Sequence, residues 1–172
     1  MKPEEIKKLL TKIIEGLCRQ KDNVKIGMAE LQHSVSYSIS VCSQDQAKVI
    51  GSKGCNIQAI QHLFEKAKAI DAEDYKLKKI RVFLESPDDN KYSIPEKFEK
   101  NPNWNSEEYK VIAEDLLALN YDGKVISSDL GEISIFECEV FEEIEEQSKS
   151  AIIQIMSAIG KCNGGTIEVS FV

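Results

Sequence analysis

The chain has 172 residues, a formal net charge of −7, 42% hydrophobic residues and 30% charged ones, enough to bury one good core or two small ones. No apolar run approaches the roughly eighteen residues of a membrane span. The start, Met1-Lys2-Pro3-Glu4-Glu5, is too polar and acidic for a signal peptide, so no membrane contact is expected and the expected compartment is cytoplasmic. Five cysteines without a Cys-x-x-Cys pair, and only His33 and His62 beside them, give neither zinc spacing nor a disulfide framework; no metal and no cofactor is expected.

In chain order, residues 3–18 carry apolar side chains at Ile6, Leu9, Leu10, Ile13, Ile14 and Leu17, a helical stripe with Pro3 tolerated in the first turn. Residues 24–29 and 35–41 read as strands, the second alternating Val35, Tyr37, Ile39 and Val41 with serines as a half-buried strand does. Residues 44–50 form a short helix into a glycine loop. A longer helix then runs from just after Gly54 to about residue 69, with Ile57, Ile60, Leu63, Phe64, Ala67 and Ile70 on one face. Residues 78–84 alternate as a third strand. From Ser86 to Asn105, Pro87, Pro95, Pro102 and several Asp and Asn residues mark a linker; its Trp104 either stacks on a base or anchors the linker to a domain surface.

Beyond the linker the order repeats. Ser106 caps a helix striped by Tyr109, Ile112, Ala113, Leu116 and Leu117 and ended by Asp122-Gly123. Strands follow over 124–127 and 132–141 about a turn at Asp129-Leu130-Gly131. A helix spans 142–159 and a strand 166–172. The expected fold is α+β: two tandem two-layer domains, residues 1–86 and 106–172, joined by a linker at 87–105. The same split order also fits other small two-layer folds.

The chemistry concentrates between Val49 and Ile60, which read V-I-G-x-x-G-x-x-I-x-x-I. Gly51 and Gly54 let the backbone approach a phosphate, and the following helix offers unpaired N–H groups and a positive dipole end. Ser52 adds a hydroxyl and Lys53 a charge at the tip. The amides near Cys55 and Asn56 are the expected phosphate donors, and Ile50 and Ile57 are mainly core by spacing, with the option of edging a base groove. This stretch resembles the glycine loop of a KH domain. The order α-β-β-α-α-β is that of its type II form, and residues 1 to about 86 resemble the bacterial KhpA family.

The resemblance implies a non-catalytic protein that clamps about four nucleotides of single-stranded RNA and pairs with itself or with another KH protein. The second half resembles a degenerate KH domain without the clamp: Glu142, Glu143, Glu145 and Glu146 stand where the glycine loop would be. Those acids complement a helix dipole and repel phosphate. Charge divides likewise, with fifteen Lys and Arg against eleven Asp and Glu in residues 1–85 and seven against eighteen in residues 86–172. The acidic half suits a basic protein partner, and in the rival reading the whole chain is a protein-interaction subunit that binds no RNA. No nucleophile–base pairing, Walker loop or dinucleotide fingerprint argues for an enzyme.

Overall fold

The computed structural model describes residues 1–71, 73, 75–86 and 105–172. The prolines of the expected linker and the two roles weighed for Trp104 lie outside the described residues.

Helix α1 (Pro3–Leu17) buries the expected stripe completely, with the Lys2 N–H donating to the Glu5 carboxylate at 2.7 Å across its first turn. Strand β1 (Lys25–Glu30) pairs antiparallel with β2 (Ser34–Ser40), whose Val35, Tyr37 and Ile39 point to the core while the serines face away. Next come α2 (Ser43–Ile50), a single 3-10 turn (Ser52–Gly54), α3 (Cys55–Lys66), β3 (Lys68–Ile70) and β4 (Leu77–Leu84). The sheet order is β1-β2-β4-β3, with β2 and β4 parallel.

The expected end of the long helix is corrected here. At Ala67 the backbone is extended (φ −66°, ψ 162°), and residues 68–70 pair antiparallel with β4. Ala67 and Ile70 fit a helical stripe by coincidence of spacing; Ala69, which the stripe omitted, is the residue this short strand buries. A three-residue strand has too few positions to reveal an alternation.

In the second half, α4 (Ser106–Ala118) buries its expected stripe, but the cap is Asn105, one residue earlier than expected. Its carboxamide accepts from the Glu108 N–H at 3.1 Å, and the Glu108 carboxylate accepts from the Asn105 N–H at 2.9 Å, a reciprocal capping box. Strand β5 (Gly123–Leu130) runs three residues past its expected end, because cross-strand pairing to β6 (Ile133–Val140) continues to Leu130↔Ile133. The turn is therefore Gly131-Glu132, with Gly131 at φ 73°. Helix α5 (Glu146–Cys162) starts four residues later than expected, since Glu145 is still extended and the Glu142 carboxylate accepts from the Asp122 N–H at 3.0 Å. Strand β7 (Thr166–Phe171) completes a second sheet, β5-β6-β7, with β6 and β7 parallel. The described residues thus form a mixed α+β fold of two sheets and five helices.

The two halves meet through their helices. α3 packs on α5 and α1 packs on both α4 and α5, so the elements stack as sheet, helices, helices, sheet, and buried residues of both halves form one cluster. Polar ties cross the seam: the Asn163 carboxamide donates to Gly16 O at 2.8 Å and that of Asn120 to Leu63 O at 2.8 Å. Lys66 donates to the Tyr121 hydroxyl at 2.6 Å and pairs with the Glu145 carboxylate at 2.8 Å.

Candidate nucleic-acid interface

The loop is built from its supports outward. Asp45, 1% exposed, accepts from the Arg19 N–H at 3.1 Å and the Gln20 N–H at 2.9 Å. The start of α2 is thereby fixed to the chain leaving α1. α2 ends where Gly51 turns to φ 76°, ψ 174°, a region open essentially to glycine alone. A side chain there would also collide, since a Cβ would lie 2.7 Å from Asn56 Cγ and 2.9 Å from its backbone N. Gly54 is left-handed (φ 79°, ψ 14°), and a Cβ there would come no nearer than 3.4 Å to the Gln58 carboxamide. Gly51 is therefore demanded by conformation and packing together, Gly54 by conformation.

Between the glycines, Ser52 and Lys53 are exposed, and Lys53 is itself left-handed (φ 53°, ψ 26°). The N–H of Gly51 donates to Ala47 O, that of Gly54 to Gly51 O, and that of Cys55 to Ser52 O. The Cys55 amide, expected to face phosphate, is thus already bonded within the loop. The Ser52 and Lys53 N–H groups have no partner among the described residues, and it is these two amides, with the Lys53 ammonium, that the loop presents outward.

Asn56 supports the loop through its side chain. Its side chain is 7% exposed, donating to Lys48 O at 2.7 Å and accepting from the Gln154 carboxamide at 2.8 Å. Gln154 also lies 3.5 Å from Cys55 Sγ. The last turn of α2, the first turn of α3 and the middle of α5 are joined under the loop by this chain of two amides. Gln154 went unnoticed in the sequence, where it stands 98 positions from Asn56 with no motif around it.

Ile50 and Ile57 are half-buried on either side of the loop, the core beneath being filled by Val49, Ile60, Leu63 and Phe64. Of the other polar residues on α3, Gln61 donates to Val82 O at 3.1 Å, and His62 Nε2 lies 3.2 Å from Ser148 Oγ in the seam with α5. Both side chains thus have partners within the fold.

At the corresponding place in the second half is a cleft of about 390 Å³, lined by Glu142, Glu143, Glu145 and Glu146 against the single cation Lys149. The hydrogen bond from Lys66 holds Glu145 below the ordinary glutamate range; with Lys66 paired to Glu145 and Lys149 to Glu146, Glu142 and Glu143 are the cleft's carboxylates without an ion pair among the described residues. Burial pushes the Cys18 and Cys42 thiols upward. Among the described residues no group of three or more His, Cys, Asp or Glu is placed to hold a metal ion, and no helix is long and apolar enough to cross a membrane.

Residues 7–78, from α1 to the start of β4, match the family model described as KhpA/KhpB, KH domain. No curated protein matches the chain.

Proposed function

We propose, from the match of residues 7–78 to the KhpA/KhpB KH-domain model, that the chain is a non-catalytic, cytoplasmic RNA-binding protein that clamps about four single-stranded nucleotides at the Gly51–Gly54 loop. The observation carrying this reading is the exposed Ser52-Lys53 tip, whose two amides are unbonded among the described residues and whose backbone is held open by glycine at positive φ on both sides. Two successive unbonded amides on an exposed tip that also carries an ammonium suit a phosphate oxygen. Ile50 and Ile57 edge the groove in which bases lie. The parallel pairing of β2 with β4 supports the type II assignment, and its repetition by β6 and β7 supports a second, degenerate KH-like domain over 106–172.

The acidic cleft of that second domain takes no RNA; its carboxylates suit a basic protein partner, and pairing with itself or with another KH protein is a further role for the chain. Replacing the tip by acids, Ser52→Asp with Lys53→Asp, tests the clamp because both side chains are exposed and carry no packing. Fluorescence anisotropy with a labelled single-stranded RNA tetranucleotide, which the clamp alone fills, is expected to show binding abolished at unchanged thermal stability. Unaltered affinity overturns the clamp, and absence of RNA binding by the wild-type chain favours the rival reading, a protein-interaction subunit on a KH scaffold that binds no RNA.

A further inference from the structure

The outward face of the first sheet carries a cationic patch with no counterpart in the loop. Along β4 the residues turned away from the helices include Lys79, Arg81 and Phe83, all exposed, and Lys68 on β3 stands directly opposite Lys79 in the antiparallel register. Like charges directly opposed across strands repel. None of Lys68, Lys79 and Arg81 has an ion pair among the described residues, although the chain carries 29 acids against 22 bases. The contrast lies within one strand: Lys78, on the inward face, is paired with Glu30 at 3.2 Å and Asp71 at 2.8 Å. The nearby acids neutralise the inward lysine and leave the outward cations uncompensated. The first acid at an outward position is Glu85, just beyond the end of β4.

Beside the cations runs a row of small hydroxyls, with Ser34 level with Lys79, Ser36 with Arg81 and Ser38 with Phe83. Phe83 is 46% exposed, an aromatic ring on an open strand next to a guanidinium. Alternate residues on a strand are about 6.7 Å apart, close to the phosphate spacing of an extended single strand. A charged ridge with an aromatic platform and a low hydroxyl-lined floor is the chemistry of sequence-tolerant single-strand binding.

We propose that the outward face of β2, β4 and β3 is a second surface for single-stranded nucleic acid, separate from the glycine loop, with Lys68, Lys79 and Arg81 on phosphates and Phe83 stacked on a base. It rests on the RNA-binding reading of the chain, but its residues lie on the opposite side of the sheet from α3, so the two surfaces are tested apart. The probes are a labelled oligouridine tetranucleotide, which one site fills, and a labelled oligouridine 20-mer, both read by anisotropy with the full chain. Lys79→Glu with Arg81→Glu is expected to weaken the 20-mer at least tenfold. It is also expected to flatten the log–log salt dependence by about 1.4, two phosphates at about 0.7 each. Phe83→Ala is expected to weaken the 20-mer about tenfold with the slope unchanged, a stacking loss.

The Ser52→Asp, Lys53→Asp variant is expected to lose the tetranucleotide yet keep a salt-dependent affinity for the 20-mer. Wild-type 20-mer binding by both sheet variants overturns the second surface and leaves the clamp standing. Unchanged tetranucleotide binding by the loop variant removes the clamp alone. A sheet variant that changes the sedimentation mass of the chain without changing 20-mer affinity shows that the face meets protein, and also overturns the proposal. Should the double charge reversal reduce thermal stability, Lys79→Gln with Arg81→Gln reads the same loss of slope.

Discussion

The amide chain beneath the loop makes a quantitative demand on stability that a double-mutant cycle can measure. Gln154→Ala removes the 2.8 Å bond to Asn56 and leaves a nearly buried carboxamide oxygen without that donor. A net hydrogen bond is worth about 1 kcal/mol and an unsatisfied buried acceptor costs about 1–3 kcal/mol. Because Gln154 is only half-buried, water reaches the vacated position and the lower end applies, about 1 kcal/mol. Asn56→Ala removes that bond and the 2.7 Å bond to Lys48 O, together with the side chain that packs on Gly51, for about 2–3 kcal/mol. Since both substitutions break the same contact, the double variant is expected to lose about 1 kcal/mol less than the sum. Urea unfolding of the four proteins, followed by circular dichroism, gives each value, and about 2–4 °C of melting temperature per kcal/mol gives an independent check. Strict additivity, or a Gln154→Ala variant within about 0.3 kcal/mol of wild type, would refute the coupling of the second half to the loop.

Gly51→Ala is expected to cost about 3 kcal/mol, through a glycine-only conformation and the 2.7 Å approach to Asn56, whereas Gly54→Ala costs about 1–2 kcal/mol for its left-handed backbone; equal losses in urea unfolding contradict this ranking. Of the five cysteines, the half-exposed Cys55 and Cys162 should react with a thiol reagent in the native protein, while the buried Cys18, Cys42 and Cys138 wait for unfolding, and a third fast-reacting thiol counts against the packing described. Lys66 holds the Glu145 pKa below its ordinary value of 4.5, so the pair's stabilisation is present above that value and is lost as pH falls through the depressed folded one. The gap in melting temperature between wild type and Lys66→Met should accordingly narrow in acid, and a gap unchanged down to about pH 3 contradicts the linkage.

Where the physics is local, the sequence determined the outcome. The stripes of α1 and α4 appear where their apolar spacing placed them, because helix period and burial are set within a few turns. The alternation of β2 and β4 was equally plain, and the glycine loop was recognisable because Gly51 and Gly54 occupy backbone regions that other residues enter at a cost. Tertiary structure decided what depends on residues distant in the chain. β3 exists because β4 offers an edge to residues 68–70, and the start of α5 is delayed while Glu142 bonds to Asp122. The opposition of Lys68 and Lys79 requires a strand register that neither segment encodes alone. Asn56 is a structural amide because Gln154 reaches it across 98 positions. Helix faces that read simply as apolar in each half turned out to share one core, since burial is non-directional and the pattern of a stripe states that it must be covered without stating by what.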